Sequence, residues 1–343
     1  MLTEQLKIFD VIADCKAIDR VCEILENGGT VAIPTETVYG LAANAYDETA
    51  IKKIFEAKGR PQDNPLIVHI SDLEMLKNVV SSFPELAKKC SEKFWPGPLT
   101  MVLPRSKKIP TSVSAGLDTV AVRMPRNPVA REIIAKSKLP LAAPSANLSG
   151  SPSPTTAGHV IKDLDGKIDA IVVSEKADVG VESTVVTFCT NPPRLLRPGG
   201  ITVEQLRGII PDLVIDKAVL AEPEKDKPVA SPGMKYKHYS PKAKVVILDG
   251  DLEKFKKYVN EHTEDNTCAL VFEGEEENIK VKTLVYGSKN DDESQAANLF
   301  DALRKLDEIG CSVCFARAPK KTGVGLAVYN RLIRAAAFTV IEL

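Results

Sequence analysis

The chain has 343 residues, 44% of them hydrophobic, enough for substantial cores and two domains. Its 45 Lys and Arg stand against 46 Asp and Glu, and the net charge of −1 argues against nucleic-acid binding through bulk electrostatics. It lacks a run of about eighteen apolar residues, so no membrane span is expected. Residues 1–14 lack a basic, apolar leader and seven scattered cysteines suit a reducing compartment, so a cytoplasmic location is expected.

In chain order, residues 30–34 read as a strand that opens into Thr35-Glu36-Thr37-Val38-Tyr39-Gly40-Leu41. Ile51, Ile54, Phe55 and Lys58 fall at i, i+3, i+4 and i+7, which predicts a helix with one apolar face. Pro61 prevents that helix from continuing, so Lys58 and Arg60 are expected to project from its C-terminal end. Short apolar strands follow at 67–70, interrupted by His69, and at 121–124, interrupted by Arg123. Residues 139–143 read as a buried strand releasing Ser145, Ala146 and Asn147 into a polar loop, a frequent place for ligand contacts. Ser183 starts a further strand, and residues 195–197 run into a turn at Pro198-Gly199-Gly200.

Strands at 245–248, 268–272, 283–286 and 311–316 then alternate with helices at 251–262, 292–309 and 325–337. That alternation predicts a small, mostly parallel, Rossmann-like sheet. The first part mixes strands, helices and Pro-rich turns, which suits a twisted mixed α/β sheet with a concave face. The expected division is a first domain at 1–212, a linker at 213–244 and a C-terminal domain at 245–343. No internal repeat recurs at a fixed period.

Each candidate residue has a bland reading beside a chemical one. Lys58 and Arg60 either complement a helix dipole or hold phosphate oxygens, the Lys as a point charge and the Arg as a fork. Ser145 and Asn147 serve a turn or a ligand. Arg123 in an apolar strand needs an anion, which is either an Asp or Glu or a bound carboxylate. His69 is a satisfied interior histidine or a ligand contact, and Arg197 a surface arginine or a phosphate contact. No G-x-x-x-x-G-K-[ST] or G-x-G-x-x-G follows a strand, so nucleotide binding would rest on scattered cations. Cys311 and Cys314 form a C-x-x-C inside an apolar run; burial is favoured over redox or zinc because no second pair exists. Residues 231–244 hold Lys235, Lys237, Lys242 and Lys244, interleave Tyr236 and Tyr239 and carry no acid. They read as an RNA- or phosphate-contacting stretch or as a solvated, extended linker.

Segments along the chain resemble, in order, the motifs of the YrdC-like L-threonylcarbamoyladenylate synthases. They are PTETVYGL, KGRP with DNPL, IVHI, WPGPLT, AVRMP, PSANLSGSPSPT, VESTVV and RLLRPG. The linker SPGMKYKHYSP and the tail GVGLAVYNRLIRAA extend the likeness over nearly the whole chain and mark the family's long, two-domain form. The resemblance implies a nucleotidyltransferase that makes L-threonylcarbamoyl-AMP from L-threonine, bicarbonate and ATP, releasing pyrophosphate. That product is the activated donor for threonylcarbamoyladenosine in tRNA.

Around L-threonine the resemblance implies Thr35, His69, Arg123, the Ala143 carbonyl and Ser183. Around ATP it implies Lys58, Arg60, Asn64, Thr119, Ser145, Asn147, Ser153, Arg197 and Tyr236, with Lys58, Arg60, Ser145 and Asn147 as the catalytic set. Magnesium is expected to ride on the triphosphate, since no dense cluster of carboxylates reads as a cage. The linker is expected to fold over the cleft, bringing Tyr236 to the nucleotide and excluding water from the labile anhydride. Positioning and charge stabilisation carry such a transfer, so no covalent nucleophile is assigned. A downstream threonylcarbamoyl transferase and tRNA are the expected partners, without strong nucleic-acid binding by this chain. A regulatory or lid-holding role for the C-terminal domain rests on analogy. The rivals are an RNA-binding module without catalysis and a related carbamoyl-transfer enzyme of the hydrogenase-maturation type. The second lacks support, because acylphosphatase and zinc-finger patterns are missing.

Overall fold

The computed structural model describes residues 2–221 and 239–343; Lys235, Tyr236 and Lys237 lie outside the described residues. The first part of the chain runs β1 (Glu4–Lys7), α1 (Cys15–Glu26), β2 (Val31–Ile33), β3 (Gly40–Asn44), α2 (Glu48–Lys58), β4 (Ile67–His69), α3 (Leu73–Val79) and α4 (Glu85–Phe94). It continues through β5 (Leu99–Pro104), α5 (Thr111–Ser114), β6 (Thr119–Arg123), α6 (Pro128–Ser137), β7 (Leu141–Ala142), α7 (Ala157–Leu164) and β8 (Ala170–Val173). It ends with β9 (Thr184–Thr187), β10 (Arg194–Arg197), α8 (Val203–Arg207) and β11 (Val214–Ile215). The strands form one mixed sheet of eleven, in the order β1-β8-β2-β3-β7-β4-β6-β5-β9-β10-β11. This sheet runs past residue 212, the expected edge of the first domain, because Val214 and Ile215 pair with Arg194 and Leu195.

Helix α2 shows how local chemistry places a site residue. The Asp47 side chain caps its N-terminus, accepting from the amides of Thr49 and Ala50, a device worth about 1 kcal/mol. Ile51, Ile54 and Phe55 are buried on its apolar face, and Gly59 leaves the helix at φ 59°, a left-handed turn that glycine adopts without strain. Lys58 is therefore held at the last helical position.

Strand alternation builds the concave face. In register, Ile67 lies opposite Ala121, His69 opposite Arg123, and Thr100 opposite Arg123. Side chains directly opposite share a face, and the next residue along points the other way. Val68, Met101 and Val122 accordingly enter the main core, while Ile67, Val102 and Ala121 cluster on the other face with Val185 and Leu196. His69, Thr100 and Arg123 continue that second face beyond the apolar cluster.

The C-terminal part comprises β12 (Lys244–Asp249), α9 (Leu252–Glu261), β13 (Thr267–Val271), β14 (Lys282–Val285), α10 (Asp292–Glu308), β15 (Val313–Arg317), α11 (Gly325–Ala335) and β16 (Val340–Glu342). Its five strands, in the order β14-β13-β15-β12-β16, are all parallel. Asp251 caps α9 instead of joining it. Strand β15 starts at Val313 and not at Cys311, whose amide closes the turn after α10 by donating to the Leu306 carbonyl. Strand β16 was not expected from the sequence; its three residues are partly exposed and show no alternation.

Candidate active site

The second face of the eleven-stranded sheet opens into a cleft of about 750 Å³, counting its mouth, a size suited to a small-molecule ligand. Thr35, Lys58, Arg60, His69, Arg123, Ala143, Ser145, Asn147, Ser153, Ser183 and Arg197 all line it. Two predicted residues among those described do not. Thr119 begins β6, on the same face as Arg123 but at the far end of the strand. Asn64 is buried in the loop after α2, and its side-chain amide has no hydrogen-bond partner among the described residues.

Arg123 combines both readings of a strand arginine. Its Nη2 lies 2.6 Å from Glu36 Oε1 in an ion pair whose side chains are 4% and 3% exposed. Nη1 donates to Thr37 Oγ1 at 2.7 Å and Nε to the Gly97 carbonyl at 3.3 Å. The anion its burial requires is thus supplied by Glu36, yet the guanidinium still forms part of the cleft wall. Burial pushes the Glu36 carboxyl up, but the charge and contacts of Arg123 outweigh it and hold the group below its ordinary range. Thr35 Oγ1 donates to the Val38 carbonyl at 2.6 Å and lies 2.8 Å from Thr37 Oγ1, fixing the turn between β2 and β3.

Burial, with the Arg123 charge beside it, pushes His69 down to about 3, so its ring is neutral at pH 7. In the unfolded chain the ring titrates near about 6.5 and takes up a proton that the folded chain refuses. The neutral ring's contribution to stability is therefore complete above that value and declines as pH falls toward 3. His69→Gln should flatten the acid limb of the stability curve, read by urea unfolding between about pH 4 and 7. An unchanged slope would contradict a neutral, buried ring.

Lys58 projects from the C-terminal end of its helix as expected, but the structure encloses its side chain. Lys58 is 2% exposed, and its ammonium turns into the loop after β7. Nζ donates to the carbonyls of Ser145 at 2.5 Å and Asn147 at 2.6 Å, with Asn147 Oδ1 at 3.4 Å. The helix end is enclosed by that loop, and a buried ammonium must find oxygens there. Burial, with Arg60 adding its charge, lowers its proton affinity well below that of an ordinary lysine. Asn147 braces the same loop, donating to the carbonyls of Leu148 and Ser151 at 2.8 Å and accepting from Ser145 Oγ at 2.5 Å. Arg60 is less buried and lies across the carbonyls of Asn64 and Pro65.

Opposite, Ser183 Oγ lies 2.7 Å from Thr100 Oγ1, and Arg197 donates to the Ser183 carbonyl at 3.0 Å and hydroxyl at 3.2 Å. Burial draws Arg197 down to about 10, which leaves it cationic at pH 7. The cleft wall also contains Thr37 and Glu182, neither assigned a role from the sequence, and Tyr239 from the basic, aromatic stretch. A glutamate inside the apolar run VESTVV was the available signal for Glu182. Among the described lining residues, Lys58, Arg60, Arg123 and Arg197 face one acid, Glu182, so the cleft is cationic in a chain of net charge −1. Among the described residues no group of three or more His, Cys, Asp or Glu is placed to hold a metal, and no helix is long and apolar enough to cross a membrane.

The Sua5–YciO–YrdC family model, described as telomere recombination, matches residues 23–199, and the model for the threonylcarbamoyl-AMP synthase C-terminal domain matches 201–337. A threonylcarbamoyl-AMP synthase of Pyrococcus abyssi is 45% identical over 327 residues, 93% of each chain. The chain belongs to the threonylcarbamoyl-AMP synthase family. Another family member, from Bacillus subtilis, is 46% identical over 330 residues, 95% of this chain and 94% of its own. The crystal structure of P. abyssi Sua5 complexed with L-threonine matches all of both chains with a TM-score of 0.91 at 39% identity. The mixed sheet followed by a smaller parallel one is thus the architecture this chain shares with P. abyssi Sua5.

Proposed function

We propose that this chain makes L-threonylcarbamoyl-AMP from L-threonine, bicarbonate and ATP, with release of pyrophosphate. The observation that carries this reading is the cationic cleft, in which the small polar groups of two strand ends meet four basic side chains. The threonine bound to the P. abyssi relative supports the amino-acid half. L-Threonine would lie against Thr35, His69, Arg123, the Ala143 carbonyl and Ser183. ATP would lie along Lys58, Arg60, Ser145, Asn147, Ser153 and Arg197, with Asn64 and Thr119 reaching it at the margins.

The threonine amine adds to the carbon of carbon dioxide released from bicarbonate and loses a proton, giving a carbamate. A carbamate oxygen then bonds to the α-phosphorus as the bond to pyrophosphate breaks. Fixed cations that meet the charge growing on the phosphates favour that step. Magnesium carried by the triphosphate would neutralise the leaving pyrophosphate. It suits phosphate oxygens better than this wall, where the Glu182 carboxylate is already engaged by Arg331 and Ser153. The product is then consumed by a transferase acting on tRNA, in the cytoplasm. The eleven-stranded sheet, which extends to Ile215, belongs to the catalytic unit and the five-stranded sheet to the C-terminal unit, with Tyr239 in the stretch that covers the cleft. The burial of Tyr239 in the cleft wall supports such a cover.

Arg60→Ala removes a phosphate contact at a partly exposed position and should leave the fold intact. Pyrophosphate release should fall at least about a hundredfold, the scale of losing one charge-stabilising donor. Unchanged turnover would overturn the ATP assignment.

A further inference from the structure

The tail motif GVGLAVYNRLIRAA carries Arg331 in the middle of α11, with no exposed surface. A guanidinium sealed from water persists only where every face is partnered. Nε donates to Glu182 Oε2 at 2.7 Å and Nη2 to the Glu182 carbonyl at 3.1 Å. Nη1 donates to the Pro198 carbonyl at 2.9 Å and to Asn330 Oδ1 at 2.7 Å. Glu182 spends its other oxygen, Oε1, on the Ser153 hydroxyl, which donates to it. Glu182 and Ser153 line the cleft, whereas Arg331 does not.

The same stretch is held from two more places, one in the C-terminal part and one just before it. Arg304 of α10 donates to the Pro152 carbonyl at 2.6 Å while gripping both oxygens of Asp163 at 3.0 and 2.8 Å. The Ser240 amide donates to the Gly150 carbonyl at 2.9 Å. Residues 150–153 are thus anchored by Ser240, Arg304 and, through Glu182, Arg331, all well downstream in the chain.

We propose that Arg331 is a positioning residue: it fixes Glu182, which holds the Ser153 proton and leaves the Ser153 oxygen to present its lone pairs to the cleft. A hydroxyl so fixed accepts a hydrogen bond and cannot offer one. It therefore recognises an O–H or N–H donor on the nucleoside half of ATP, not a phosphate oxygen. The inference rests on the reading of Ser153 as a nucleotide contact.

The test is equilibrium titration of the full chain with ATP, with pyrophosphate as a phosphate-only probe and with L-threonine. Arg331→Met should weaken ATP about tenfold, the scale of one mispositioned hydrogen bond. Pyrophosphate and threonine should stay within about twofold. Should the buried pair prove necessary for folding, Arg331→Lys keeps a charge for Glu182 but loses the two-point grip, and it should show the same split. An equal loss for all three ligands would mean a structural role only, and unchanged ATP affinity in a folded variant would overturn the proposal outright. Ser153→Ala separates the two claims: unchanged ATP affinity there removes the nucleotide reading of Ser153 itself.

Discussion

Arg123→Met is expected to cost about 3–5 kcal/mol of folding stability, measured by urea unfolding, and to abolish threonine binding. The reason is Glu36, whose side chain is 3% exposed and whose countercharge is Arg123. Removing the cation leaves a buried carboxylate that must either lose water without compensation or take up a proton. The double change Glu36→Gln with Arg123→Met removes both charges and should recover most of the stability, since a buried pair as a whole contributes little. It should not recover threonine binding, because the guanidinium at the cleft wall is still missing. A loss below about 1 kcal/mol for the single change would mean that the pair is solvated and that the cleft floor is not dry.

Lys58→Met should reduce pyrophosphate release at least about a hundredfold while shifting the unfolding midpoint little. Methionine fills nearly the same space, and removing a desolvated ammonium offsets part of what is lost when the Ser145 and Asn147 carbonyls forfeit their donor. The functional cost arises because those carbonyls belong to the loop that carries Ser145, Asn147 and Ser153. Loop shape and phosphate charge are lost together. Turnover within about tenfold of the parent would show that the ammonium serves only to tie helix to loop.

Much of this was legible because local rules coincide with the fold. The i, i+3, i+4 pattern of α2, its Asp47 cap and the Gly59 exit all lie within a few residues of one another. The strand ends bearing His69, Arg123 and Ser183 were visible because a polar residue breaks an apolar run. What escaped depends on partners distant in sequence. The acceptors that bury Lys58 lie 87 and 89 residues away, and the Glu182 that fixes Arg331 lies 149 residues away. A lysine at a helix end looks solvated until the loop that encloses it is known. Glu36 and Thr37 stood within a recognised motif, but their hold on Arg123 needed the sheet to bring β6 to the turn after β2. The tail motif marked α11 without revealing that one of its arginines braces the cleft.

The measurement that tests the central claim most directly is mass spectrometry of a reaction holding ATP, magnesium, bicarbonate and L-threonine, beside a control without threonine. Threonine-dependent appearance of threonylcarbamoyl-AMP, with one pyrophosphate for each product, is the predicted result. Folded protein that binds ATP but forms neither product would contradict the account and turn attention to an RNA-binding role without catalysis.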